Sequence, residues 1–352
     1  MTIQEKFKKL FLNITEKEYR EIDAVSYSAL SNFAKNGPIS LIAKRKEVAA
    51  FRMGNLVETL LFEPETFDDK FVIFDGREPT ASSLELAKGL ISSGDVYTPE
   101  NIESVLEVIK QLNLWGSTKD SNKLIAKFNN YNFWGYLEAN YKANNGCVII
   151  DSYTALIAQQ KVEALKTNNF TAGLFDEEVL NDSFIQAQGL IEINEIPVKF
   201  MLDIITIDFE NKIIYPRDLK TGKELAEEFD RNFYAYKYYL QGGLYSRGLK
   251  ELIKGTEFEE YTIAPFEFIY INNAKQNSPI IKRMGEGWNE LAANGWENSF
   301  GYKSGWENSF GYKSMGYLEL MELYTWHKIN EEYNYSKETV ENNGVSIIKK
   351  PV

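Results

Sequence analysis

Residues 201–222 read MLDIITIDFENKIIYPRDLKTG and set Asp203, Asp218 and Lys220 among runs of Ile, Leu and Met. A buried charge is costly unless it is compensated, so these three need one another, a metal or water. Alternate residues of a strand share a face, which points Asp218 and Lys220 the same way and Leu219 the opposite way. Asp203 shares its face with Met201 and Ile205, and a hairpin between the two runs brings it beside Asp218. Two carboxylates and an ammonium that converge suit phosphodiester hydrolysis. The carboxylates bind one or two Mg²⁺ or Mn²⁺ ions, the metal polarises the phosphate and acidifies water, and the lysine orients that water or meets developing charge. Spacing alone leaves open a solvated sheet face with an ordinary surface ion pair.

Composition narrows the choice. The chain has 352 residues, 44% of them hydrophobic, enough for one large domain or a domain with an appended lobe. A single cysteine, Cys147, excludes intrachain disulfides and cysteine-ligated zinc or iron–sulfur sites. A single histidine, His327, excludes sites that gather several imidazoles around a metal. Any catalytic metal is then held by oxygen, which favours magnesium or manganese. His327 in YTWHKIN is expected to be structural or on the surface, and Cys147 in GCVIID a small buried apolar residue. A net charge of −12 argues against a uniformly basic surface but permits a local basic groove. With no apolar run of membrane-spanning length and no secretory leader pattern at the N-terminus, the expectation is a cytoplasmic protein without a membrane partner.

The elements that must position these residues follow from periodicity. SYSALSNFAKNGP predicts a helix capped by Ser26 or Ser28 and ended by Gly37-Pro38. FRMGNLVETLLF predicts a second helix with Glu58 on a different azimuth from Leu56 and Leu60. Residues 75–145 are polar with helical stretches, and Asp151 is placed to cap a further helix. From 184 the period shortens. SFIQAQGLIEI, VKFMLDIITID and KIIYPRD read as three antiparallel strands joined at Asn194-Glu195 and across Phe209 to Asn211. ELAEEFDRNFYAYKYYLQGGLYSRGL reads as one helix, and PFEFIYI as another strand. In that helix Tyr234, Tyr238, Gln241 and Tyr245 fall on one face, where the glutamine amide is hard to assign to core. Helix, meander, helix, strand is an α+β or α/β order with a central mixed sheet. GWENSFGYKS occurs twice, at 295–304 and 305–314, and is read as a surface insertion or as an aromatic flap for single strands.

The order of these pieces resembles the PD-(D/E)xK nuclease superfamily, whose core is a helix, a three-strand meander carrying an acid and a D/E-x-K, a helix and a further strand. Asp203 matches the first acid, with Leu202 where the eponymous proline would stand, and DLKTG supplies Asp218 and Lys220. YKYYLQGGLY is similar to the Q-x-x-x-Y motif of RecB-like and RecE-like exonucleases, with Gln241 and Tyr245 in the matching places. FRMGNLVETLLFEPETF resembles the RecE-type segment through Gly54, Glu63-Pro64 and Phe67, but has Glu58 where that branch usually carries histidine. The matched segments run from about 26 to 275, covering an N-terminal helical part at 26–67 and a catalytic core at 184–275 of one nuclease domain.

The resemblance implies a restriction-endonuclease-like fold and a metal-dependent exonuclease of the RecE-like, phage-type group, acting on the ends of linear duplex DNA in recombination. It implies Mg²⁺ or Mn²⁺ held by Asp203, Asp218, the Leu219 carbonyl and Glu58, with Lys220 positioning the water. Gln241, Tyr245 and Tyr238 would orient the lysine or contact DNA, and Lys44, Arg45 and Lys46 with Arg52, adjacent in sequence to the Glu58 helix, read as a basic strip for DNA or as a solvated helix face. A single-strand annealing protein and a homo-oligomeric ring are the partners that such enzymes take. The rival readings are a catalytically silent fold that binds DNA or protein, and a structure-specific endonuclease on the same core.

Overall fold

The computed structural model describes residues 1–43, 49–272, 277–297 and 313–345. The chain divides into two compact units, Met1–Glu47 with Ala164–Val352, and Val48–Glu163.

The first unit is built on a six-stranded mixed sheet with helices packed against it. The three-strand meander is present. β1 (Ser183–Ile193), β2 (Ile196–Asp208) and β3 (Ile213–Gly222) pair antiparallel in sequence order. The β1–β2 turn is the two residues Asn194 and Glu195, both at positive φ (50° and 64°), the mirror-image turn that suits strand twist. At the β2–β3 turn the Asp208 carboxylate accepts the backbone N–H and the side-chain amide of Asn211, each at 2.8 Å. Past β3 the sheet changes sense. β4 (Thr262–Ile263) and β5 (Glu267–Asn272) both lie parallel to β3, and β6 (Ile280–Arg283) closes the far edge antiparallel to β5.

Helix α1 (Tyr27–Asn36) has Ser26 as its cap, the hydroxyl accepting the Ala29 N–H, and stops at Gly37. The long helix expected between β3 and β5 is two helices, α2 (Phe229–Ala235) and α3 (Tyr238–Ile253). Between them Lys237 adopts the left-handed conformation (φ 58°, ψ 41°). Tyr234 therefore stands on a different helix from Tyr238, Gln241 and Tyr245.

α3 lies close against the sheet because Phe200 of β2 fits between two glycines. A Cβ on Gly189 of β1 would come within 2.2 Å of the Phe200 ring, and one on Gly248 of α3 within 2.5 Å. The surrounding core includes Val198, Leu202, Ile205, Leu240, Leu244 and Phe268. Downstream, Trp296–Glu297 pairs antiparallel with Lys313–Ser314. Most of the duplicated GWENSFGYKS, residues 298–312, lies outside the described residues.

The second unit has its own core. Helices Ala81–Ser93, Ile102–Gln111, Ser121–Phe128 and Tyr131–Asn144 enclose Leu86, Leu90, Leu106, Ile109, Phe128 and Phe133. A short parallel pair, Phe71–Ile73 with Val148–Ile150, accompanies them. Asp151 caps the helix Ser152–Thr167, accepting the Thr154 N–H at 2.6 Å. Cys147 is half-buried rather than buried, its thiol donating to the Asp69 carbonyl at 3.2 Å. Among the described residues, no helix is long and apolar enough to cross a membrane.

Candidate active site

The chemistry-bearing residues sit where β2 and β3 part. The ladder between these strands runs from Asp208↔Ile213 to Ile204↔Arg217 and ends there. The next step in register would set Asp203 opposite Asp218. Instead the Asp203 carboxylate accepts the Leu219 backbone N–H at 2.7 Å, satisfying a buried donor that the interrupted ladder leaves free. Further along the same strand, Val25 bridges to Val198, its N–H donating to the Pro197 carbonyl and its carbonyl accepting the Lys199 N–H. Along the edge of β2 opposite β1, Asp203 thus falls between the stretch paired with β3 and the stretch bridged by the segment leading into α1.

Asp218 is almost wholly buried, at 2% exposure, yet carries a charged group. Gln241 of α3 donates its amide to Asp218 Oδ1 at 2.5 Å, and the Lys220 ammonium lies 2.5 Å from Oδ2. The strand alternation expected from D-x-K is met, since Asp218 and Lys220 face each other. The Lys220 ammonium also lies 4.8 Å from the centre of the Tyr238 ring, a cation–π contact. Burial pulls Lys220 down, but Asp218, Tyr238, Asp203 and Tyr27 outweigh it and hold the ammonium above its ordinary value. Lys220 is thereby kept as a cation and a hydrogen-bond donor.

Tyr245 is buried beside Phe200, Phe266 and Tyr27, with ring centroids at 5.8, 6.2 and 6.4 Å. Burial raises its phenol well above the ordinary value, against a smaller lowering by Gln241. Glu58 is half-buried and Arg52 exposed, both on the helix Ala49–Phe62 of the second unit. Lys44, Arg45 and Lys46 lie outside the described residues.

Four residues here were not singled out by sequence. Tyr27, at the start of α1, feels the charges of Lys220 and Asp218, and burial raises its phenol well above the ordinary value. Behind the acids, Arg217 and Glu267 form a buried pair at 2.8 Å. Arg217 also donates to Thr206 Oγ1 at 2.7 Å, and Arg283 reaches the other oxygen of Glu267. Arg217 adjoins Asp218 in sequence, but its pairing with Glu267 across β3 and β5 depends on a parallel register that no local pattern encodes.

The donor chemistry suits a hard cation. Asp203 and Asp218 supply carboxylates, Asp218 Oδ2 faces the Lys220 ammonium, and Gln241 Oε1 is buried with no hydrogen-bond partner. Among the described residues, no group of three or more His, Cys, Asp and Glu side chains is placed to hold a metal. The pair therefore fits an ion that takes one or two carboxylates and completes its shell with water and substrate phosphate, the habit of Mg²⁺.

No family model and no curated protein matches the chain. Among solved structures, the crystal structure of a "Putative exonuclease" from Eubacterium rectale is similar at 12% identity and a TM-score of 0.45, over 97% of this chain and 96% of that one. That likeness carries no weight for the chemistry, which rests on the side chains themselves.

Proposed function

We propose that the chain is a metal-dependent deoxyribonuclease of the PD-(D/E)xK type that hydrolyses phosphodiester bonds at the ends of linear duplex DNA. The observation that carries the reading is the convergence on Asp218, where a carboxylate at 2% exposure meets Gln241 on one oxygen and Lys220 on the other, beside Asp203. A group so costly to bury is expected where charge does work.

In this reading Asp203, Asp218 and the Leu219 carbonyl hold Mg²⁺ or Mn²⁺, which when bound supplies Lewis-acid polarisation of the phosphoryl group. Asp203 keeps its place by accepting the Leu219 N–H. Gln241 fixes the Asp218 carboxylate through Oδ1 and leaves Oδ2 turned to Lys220. Lys220, held as an ammonium, orients the attacking water and meets negative charge on the phosphate oxygens as it develops. Tyr238 packs over Lys220 and limits where its Nζ can go. Glu58 is kept as an acid of the reaction on the sequence resemblance alone, and Arg52, Lys44 and Arg45 are proposed to contact phosphate with a contribution that falls with salt. On the same resemblance, the proposed partners are a single-strand annealing protein and further copies of this chain in a ring.

The test is digestion of end-labelled linear duplex and closed circular DNA with Mg²⁺, Mn²⁺ or EDTA, by wild type, Asp218→Asn and Lys220→Ala. Metal-dependent loss of linear DNA alone, abolished by both substitutions, supports the exonuclease. Cleavage of circles would replace it with an endonuclease, and DNA binding without cleavage under any metal would replace it with a silent binding fold.

A further inference from the structure

Beyond the acids, one aromatic side chain is exposed next to the site and yet held in place. Tyr236, between α2 and α3, is 51% exposed. Its ring packs on Tyr238 at 5.6 Å with 32° between the planes. Tyr238 stacks in turn on Phe268 and Phe229, and Lys220 sits on it. The two centroid distances put Tyr236 no more than about 10 Å from Lys220 Nζ, a span that one or two nucleotides cover.

The backbone around Tyr236 is fixed from outside its own helices. Its carbonyl accepts the Tyr27 hydroxyl at 2.7 Å and the Ser31 hydroxyl at 3.2 Å, both from α1. Its N–H donates to the Asn232 carbonyl at 2.9 Å. The next residue, Lys237, is a non-glycine in the left-handed region, a strained conformation for an L side chain. That strain breaks the helix at the point that turns Tyr236 outward while leaving Tyr238 on Lys220. A solvent-facing ring needs neither the strain nor two clamping hydroxyls for stability. Both are accounted for if the ring is a surface prepared for a planar ligand.

We infer that Tyr236 is a stacking platform for an unpaired base adjoining the phosphodiester held at Asp203, Asp218 and Lys220, so that the strand entering the site does so as a frayed, single-stranded end. This rests on the nuclease reading. Aromatic platforms accept any base, because every base offers a π-face, which suits a strand consumed without regard to sequence.

The test uses short duplexes with a single-stranded tail carrying 2-aminopurine at successive positions from the end, and matched duplexes with an abasic residue there. Wild type, Tyr236→Ala and Tyr236→Phe are compared for fluorescence on binding in EDTA, and for KM and kcat with Mg²⁺. Wild type and Tyr236→Phe should quench 2-aminopurine at one position, and Tyr236→Ala should lose that quench. Tyr236→Ala should also raise KM by about 5- to 100-fold, the worth of one stacked base. On the abasic duplex wild type and Tyr236→Ala should be alike. Equal quench and equal KM for wild type and Tyr236→Ala, with cleavage intact, would overturn the platform while leaving the nuclease standing. Failure of every chain to bind or cut either duplex would sink the nuclease reading, and the platform with it.

Discussion

The carboxylate of Asp203 replaces a strand as the partner of Leu219, accepting its N–H at 2.7 Å where the β2–β3 ladder has ended at Ile204↔Arg217. One side chain thus closes the gap between two diverging strands and stands beside the other acid. Removing its charge and removing its acceptor are then separable. Asp203→Asn keeps an oxygen for the N–H, so the denaturation midpoint should stay near wild type while Mg²⁺-dependent hydrolysis falls on the order of 10²-fold or more. Asp203→Leu should lose hydrolysis and also about 1–3 kcal/mol of stability, because the buried N–H is left unsatisfied. Equal stability losses for the two variants would show that the hydrogen bond is not what Asp203 contributes.

The distance from α3 to the sheet, and with it the reach of Gln241 to Asp218, is set by Phe200. Its ring lies against Gly248 on one side and Gly189 on the other, within 2.5 and 2.2 Å of where a Cβ would be. Gly248→Ala leaves the ring no direction of retreat and should cost about 1–3 kcal/mol, the usual scale for overpacking. Adding Phe200→Leu should recover part of that loss. Denaturant titration of the single and double variants measures the coupling, and strict additivity would show that the ring is not the obstacle.

How far sequence reaches is shown by the residues around this helix. Asp218 and Lys220 were legible because strand alternation is a rule of local geometry, and Gln241 because an amide within an aromatic stripe needs a partner. The break at Lys237 was not, since left-handed backbone is ordinarily signalled by glycine or asparagine and neither is present. Tyr27 and Tyr236 were invisible for another reason. Their hydrogen bond joins residues 209 positions apart, and nothing in either short segment announces the other. The meander declared itself through its turns, whereas the parallel placement of β5 against β3, which sets Glu267 beside Arg217, is a long-range fact of topology.

That pair makes a prediction about stability independent of function. Arg217 and Glu267 are 7% and 3% exposed, and Glu267 binds Arg217 through one oxygen and Arg283 through the other. Glu267→Ala strands the Arg217 guanidinium without a counter-charge and should cost about 3–5 kcal/mol. Arg283→Ala removes a side chain that is 64% exposed and should change stability by no more than about 1 kcal/mol. Chemical denaturation of both variants tests the asymmetry, and similar losses would mean that Arg283, not burial, anchors the cluster.

The single histidine gives a prediction about pH. His327 of α4 (Tyr317–Asn330) is fully buried, with Nδ1 2.7 Å from the Glu332 carbonyl and its ring against Phe33 and Trp326. Burial lowers its pKa below the ordinary value; the Glu332 carbonyl and carboxylate oppose this, and Lys337 adds to it. The folded state then holds fewer protons than the unfolded one just below the unfolded value of about 6.5. Stability owed to a neutral His327 is present above that pH, is lost as pH falls toward the folded value, and levels off once both states are protonated. The stability difference between wild type and His327→Leu should therefore shift against wild type as pH falls below about 6.5. Because the chain has one histidine, its imidazole Cε1 proton gives a single resonance to titrate. A midpoint at or above the free value would refute the burial argument.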